Sequence, residues 1–88
     1  MNWQVLIHHK AVRQLKRFPK EDARRIELII FQFKTDPFAG DIEKMEGEKN
    51  VWRRRVGSYR ISFELFVDKR IVFVFGIERR TTTTYRHK

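Results

Sequence analysis

The stretch VWRRRVGSYRISFELFV, residues 51–67, leaves the chain few choices of fold. After Gly57-Ser58 it alternates strictly: Tyr59, Ile61, Phe63 and Leu65 are apolar, and Arg60, Ser62 and Glu64 between them are polar. A period of two is the mark of a strand with one buried face. A glycine followed by a small polar residue suits a two-residue hairpin turn. Antiparallel strands joined by such a turn oppose Val56 to Tyr59, Arg55 to Arg60, Arg54 to Ile61 and Arg53 to Ser62, and opposed residues share a face. One face then carries Trp52, Val56, Tyr59, Ile61, Phe63 and Leu65, with Arg54 as the exception. The other carries Arg53, Arg55, Arg60, Ser62 and Glu64.

Asp68-Lys69 reads as a second two-residue turn, leading into a strand over residues 70–77. Arg70 then opposes Val67, Phe75 opposes Ser62, and Ile77 opposes Arg60. By parity Arg79 joins the face of Arg53, Arg55 and Arg60. Four arginines from three neighbouring strands are expected to converge there. Strands ~4.8 Å apart make that spacing a cradle for a phosphodiester. Solvated surface charge is the plain alternative. Folding gives no reason to oppose Arg55 to Arg60, and a bound anion relieves their repulsion. The same face is expected to carry Ile71, Phe73, Phe75 and Ile77 at its far end. That patch needs a cover, and a partner helix would supply one.

The rest of the chain supplies the layer behind the sheet. Trp3 to Ile7 reads as a first strand. Ala11, Val12, Leu15 and Phe18 lie at helical spacing, as do Ala23, Ile26, Ile29, Ile30 and Phe33. Pro19 separates the two helices and suits the start of the second, and Asp36-Pro37 stops it. Residues 38–50 are polar, with room for a short edge strand near Ile42–Met45. The fold class is therefore α+β, a single domain over residues 1–88 in the order β-α-α-β-β-β. A helical hairpin packs on one face of a twisted, mainly antiparallel sheet.

Charge narrows the function. Twenty Lys and Arg against eleven Asp and Glu give a net charge of +9, which favours a polyanionic partner. There is no cysteine, so disulfides and thiolate metal sites are excluded, and the composition fits the cytoplasm. No apolar run approaches a membrane span and no signal-peptide pattern is present, so no membrane role is expected. Carboxylate and histidine spacings suit no metal, and no cofactor is expected. Glu64 reads first as a salt-bridge partner of the arginine face and second as a base, and His8 and His9 as surface residues.

At this point the sequence resembles the RelE/ParE toxin superfamily, and RelE-type mRNA interferases most closely. The element order carries the resemblance. So do WRRRVGSYRISFE, like the family's basic strand, turn and Tyr-Arg segment, and VFVFGIERRTTTTY, like its last strand and Arg-plus-distal-Tyr ending. The resemblance implies a type II toxin that cleaves mRNA in the ribosomal A site by 2′-OH attack, without metal, and is held inactive by an acidic, RelB-like antitoxin in a heteromeric complex. It implies catalytic roles for Arg53, Arg55, Arg60, Arg79 and Tyr85. Arg54, Arg80, Arg86 and His87 are expected to contact RNA, and His87 is also a candidate acid or base. The family's best-known sites carry lysine where Arg53 and Arg55 stand, and arginine, always protonated, is a poor general base. The alternatives are a ParE-like toxin that inhibits gyrase and an RNA-binding module without catalysis.

Overall fold

A computed structural model describes residues 2–80, so the expected tail residues Tyr85, Arg86 and His87 lie outside the described residues. The elements are β1 (Gln4–Ile7), α1 (His9–Lys16), α2 (Lys20–Gln32), β2 (Ile42–Lys44), β3 (Val51–Val56), β4 (Tyr59–Phe66) and β5 (Ile71–Arg79). They form one sheet in the order β1-β5-β4-β3-β2. β1 runs parallel to β5, and the other pairings are antiparallel. This is the expected α+β architecture, with the edge strand β2 in the polar segment.

Each helix begins on a local signal. His8 caps α1: its Nδ1 accepts the Lys10 N–H at 3.0 Å, so it has a structural task beyond surface decoration. Pro19 stands at the N-cap of α2 with φ −55°, a value its ring imposes, and Glu21 and Asp22 occupy the first turn, where the helix dipole favours carboxylates. Both helices cover the same face of the sheet. Ala11, Ile26, Ile30 and Phe33 meet Val56, Tyr59, Ile61, Phe63, Leu65, Val72, Val74 and Ile77 in a buried core. Phe33 and Phe63 pack at its centre as tilted rings with centroids 4.6 Å apart.

The β3–β4 register is the expected one, from Val56↔Tyr59 through Arg55↔Arg60 to Val51↔Glu64. Gly57 has φ 59°, and Ser58 has no positive φ, as a glycine-first hairpin turn requires. The β4–β5 register departs from expectation. The connection is a single 3₁₀ turn over Val67–Lys69 that closes on Arg70 in the left-handed region, with φ 57°. Pairing runs as anticipated from Phe66↔Ile71 to Phe63↔Val74 and then slips by one residue to Ser62↔Gly76. Phe75 is the extra residue of a β-bulge, and everything after it changes face. Ile77 turns into the core instead of joining the outer patch. Arg60 opposes Glu78, not Ile77, and Arg79 opposes Tyr59. Gln14 Oε1 accepts the Ile77 N–H at 2.8 Å, where β5 runs past its last pairing with β1 at Val74.

Tyr59 ties the layers together. Its buried hydroxyl donates to Asp22 Oδ2 at 2.7 Å, and Arg25 Nη2 lies 3.2 Å from Oδ1. Asp22 is held below its ordinary 3.8, first by the Tyr59 hydrogen bond and then by Arg25, against the opposing effect of partial burial. Tyr59 is raised above 10.0, because its phenolate would lose the donated hydrogen bond and face a carboxylate.

Two outcomes follow for stability. Phe63→Ala removes a fully buried ring and is expected to cost about 3–5 kcal/mol in urea unfolding. Tyr59→Phe is expected to lower Tm at neutral pH. The deficit should shrink below pH 3.8, where falling pH protonates Asp22 through its lowered pKa, and again above pH 10.0, where Tyr59 itself loses its proton. Thermal melts across pH check this; a deficit constant with pH would remove the ionic part of the tie.

Candidate functional site

The face away from the helices is where alternation sends charge. Arg53 and Arg55 reach it from β3, and Arg60 from β4. Arg80, just past β5, joins them because the bulge has moved it onto this face. Its backbone N–H donates to Ser58 O at 2.6 Å, pinning it against the β3–β4 turn. Glu43 completes the ring: β2 opposes it to Arg53. The five side chains line a cleft of about 230 Å³.

The electrostatics leave this cleft open to an anion. Among the lining side chains four guanidinium groups face one carboxylate, and Glu78, opposite Arg60 on β5, is a further carboxylate on the same face. Arg55 has a partner outside the ring, with its Nε 3.3 Å from Asp41 Oδ2 and its Nη2 3.5 Å from Oδ1, in an exposed pair. Such a pair is screened and exchanges readily for a better acceptor. Arg53, Arg60 and Arg80 have no carboxylate within 4.0 Å among the described residues. The Arg53 Nε is buried without an acceptor among them, a state that costs free energy until one is supplied. Several guanidinium forks around one concavity are the arrangement that binds phosphate oxygens bidentately.

The structure brings together Arg53, Arg55 and Arg60 as expected and replaces Arg79 by Arg80. Arg79 lies across the sheet, its guanidinium carbon 5.8 Å from the Tyr59 ring centroid and its charge felt by Asp22. The cause is the single extra residue at Phe75. Arg54 also lies on the helix side. Its Nη1 donates to Ala39 O at 3.1 Å and its Nε to Arg55 O at 3.3 Å, so it staples the loop after α2 to β3. Gly40 permits this: its φ is +89°, and a Cβ there would overlap the Arg54 guanidinium. Glu64 forms no ion pair among the described residues, and its expected salt bridge is absent among them.

Glu43 is the residue that sequence reasoning missed. The signal existed, because β2 pairs antiparallel with β3 and Glu43 shares the parity of Arg53. No tight turn fixes that register across residues 45–50, so nothing local pointed to it. No grouping of three or more His, Asp or Glu side chains suited to a metal ion occurs among the described residues. No helix among them is long and apolar enough to cross a membrane.

No family model matches the sequence. Individual relatives do. Toxin RelE3 of Methanocaldococcus jannaschii is 34% identical over 86 residues, covering 93% of this chain and 97% of that protein. The RelE of a RelB–RelE antitoxin–toxin complex from Methanococcus jannaschii is 30% identical, with a TM-score of 0.71 over 84% of this chain and 88% of that one. The archaeal RelE–RelB complex of Pyrococcus horikoshii OT3 superposes with a TM-score of 0.82 at 24% identity, over 93% and 99% of the two chains. A two-helix layer on a five-stranded sheet is thus shared along nearly the whole length with named toxins. The chain belongs to the RelE toxin family.

Proposed function

We propose that this chain is a ribosome-dependent endoribonuclease that cleaves mRNA in the ribosomal A site. The observation that carries the reading is the convergence of Arg53, Arg55, Arg60 and Arg80 around Glu43 on the open face of the sheet. Scission of a phosphodiester by its own ribose needs an acceptor for the 2′-OH proton, charge stabilisation at phosphorus and a proton for the leaving 5′-oxygen. Arginine cannot supply the first. Glu43 is the carboxylate lining the cleft, and it takes the 2′-OH proton as the 2′-oxygen bonds to phosphorus. Arg60 and Arg80 hold the non-bridging oxygens as negative charge builds on them, and Arg53 and Arg55 hold the neighbouring phosphate. The P–O5′ bond breaks, and the 5′-oxygen takes a proton from Tyr85 or His87 in the tail, or from water. The products are a 2′,3′-cyclic phosphate and a 5′-hydroxyl. The sparse acid–base equipment fits an enzyme whose substrate is aligned by the ribosome, because alignment alone supplies much of the rate.

The partner in this reading is an acidic antitoxin. Two archaeal relatives of known structure are RelE–RelB complexes, and a net charge of +9 favours an acidic partner here. The complex should weaken as salt rises towards 1 M, as screening shortens to ~3 Å.

Purified protein added to translating ribosomes, with mRNA ends mapped by primer extension, tests the proposal. Codon-phased cuts are expected. Intact mRNA with stalled gyrase would support a ParE-like toxin instead, and bound but uncut RNA a non-catalytic module. Arg60→Ala and Arg80→Ala should each lose about 10²–10³-fold in cleavage rate. Arg79→Ala should cleave like the parent, which separates the register seen here from the unbulged one. Glu43→Gln should lose about 10²–10⁴-fold while melting normally, and a variant with parental activity would remove Glu43 as the base.

A further inference from the structure

The arginine cleft does not end at Arg53. That side chain also lines a second, larger concavity of about 450 Å³ farther along the same face. Its walls are Phe73 and Phe75 from β5, Ser62 and Glu64 from β4, and Met45 and Glu48 from the β2–β3 connection. The two phenyl rings are tilted neighbours, 6.4 Å between centroids. They are half-buried and face away from the core, although folding alone would turn such rings inward. The bulge inserts Phe75 at this point, beside Ser62 and two strand positions from the Arg55–Arg60 pair.

We propose that this concavity is a nucleobase pocket for the strand whose phosphates the arginines hold. The proposal rests on the ribonuclease reading and deepens it. The base lies against Phe73 and Phe75 and turns its polar edge towards Ser62 and Glu64. Alternate residues of a strand are roughly 6–7 Å apart, which is the distance from a backbone phosphate to its own or the next base, so one nucleotide spans both clefts. Aromatic faces take any base by stacking, and polar side chains at the rim choose among them. The choice follows from hydrogen-bond inventory. Glu64 and Glu48 are acceptors only when ionised, so the pocket favours bases bearing an exocyclic amino group and disfavours uracil. Charge argues for this occupant over a helix of the antitoxin: two carboxylates repel an acidic polypeptide, whereas amino edges of bases are attracted to them.

The test is the codon-resolved cleavage map on translating ribosomes, using a reporter mRNA that contains all sense codons. The parent should discriminate against uracil at one codon position. Glu64→Gln, an isosteric change at a half-buried site, should reduce that discrimination about ten-fold, because the amide donates as well as accepts. Phe75→Ala should lower kcat/KM about ten-fold, and Phe75→Trp should restore it through its larger stacking face. The pocket is refuted if the parent cuts mRNA and all three variants reproduce its map and rates. It is equally refuted if they change only antitoxin affinity, which would make the concavity a protein-docking surface. A parent that never cuts mRNA would instead remove the ribonuclease reading, and the pocket with it.

Discussion

The antiparallel pairing of β3 with β4 is the interaction on which the rest of this molecule depends. Because side chains alternate, the register that buries Tyr59, Ile61, Phe63 and Leu65 under the helices must send Arg60, Ser62 and Glu64 to the opposite face. A slip by one residue would put guanidinium groups in the core, so hydrophobic burial itself enforces the charge cluster. The cluster is not free. Like charges about 5 Å apart repel by roughly 1 kcal/mol in a water-like medium and about 3 kcal/mol near a protein surface. A buried phenylalanine contributes a comparable amount. Glu43 and Asp41 offset part of this strain. A bound phosphodiester would offset more, so the same repulsion that opposes folding favours an anionic ligand.

How far this was legible in the sequence depends on how locally each feature is determined. Gly57-Ser58 is a turn signal next to strictly alternating residues, and the pairing read from it matches every pair in the β3–β4 ladder. The helical hairpin was equally plain, since Pro19 and Asp36-Pro37 bracket residues at steps of three and four. The β4–β5 ladder was read correctly up to Phe63↔Val74 and wrongly beyond. A bulge adds one residue without altering hydrophobic content, and Phe-Val-Phe-Gly-Ile supports either parity. Gly76 was the available hint, because a glycine inside a strand often marks a bulge. Its consequence was to exchange Arg79 for Arg80.

Glu43 was harder, for a different reason. The connection between β2 and β3 is long enough to allow several registers, and a strand of three residues carries little pattern of its own. Only the finished sheet opposes Glu43 to Arg53. The gap mattered for chemistry more than for fold. A cleft of arginines alone can bind and polarise a phosphodiester but cannot take a proton from it, and among residues 2–80 the reading from sequence had only Glu64, as a second choice, for a base. One carboxylate on an edge strand changes what the cleft can do.

β4 is in effect two molecules interleaved. Its odd-numbered residues hold the helices to the sheet, and Tyr59 does so through a hydrogen bond that also fixes the first turn of α2. Its even-numbered residues pass in sequence from the cleft-lining guanidinium of Arg60, through Ser62, to a carboxylate at Glu64 beside aromatic rings. The backbone between them is locked by ladders on both sides, so a change at an even position need not disturb the odd ones. That separation lets a chain of 88 residues present a cationic cleft and an aromatic one on the same surface without weakening its core. It also places the chemistry of the open face and that of the core on alternate letters of one short word.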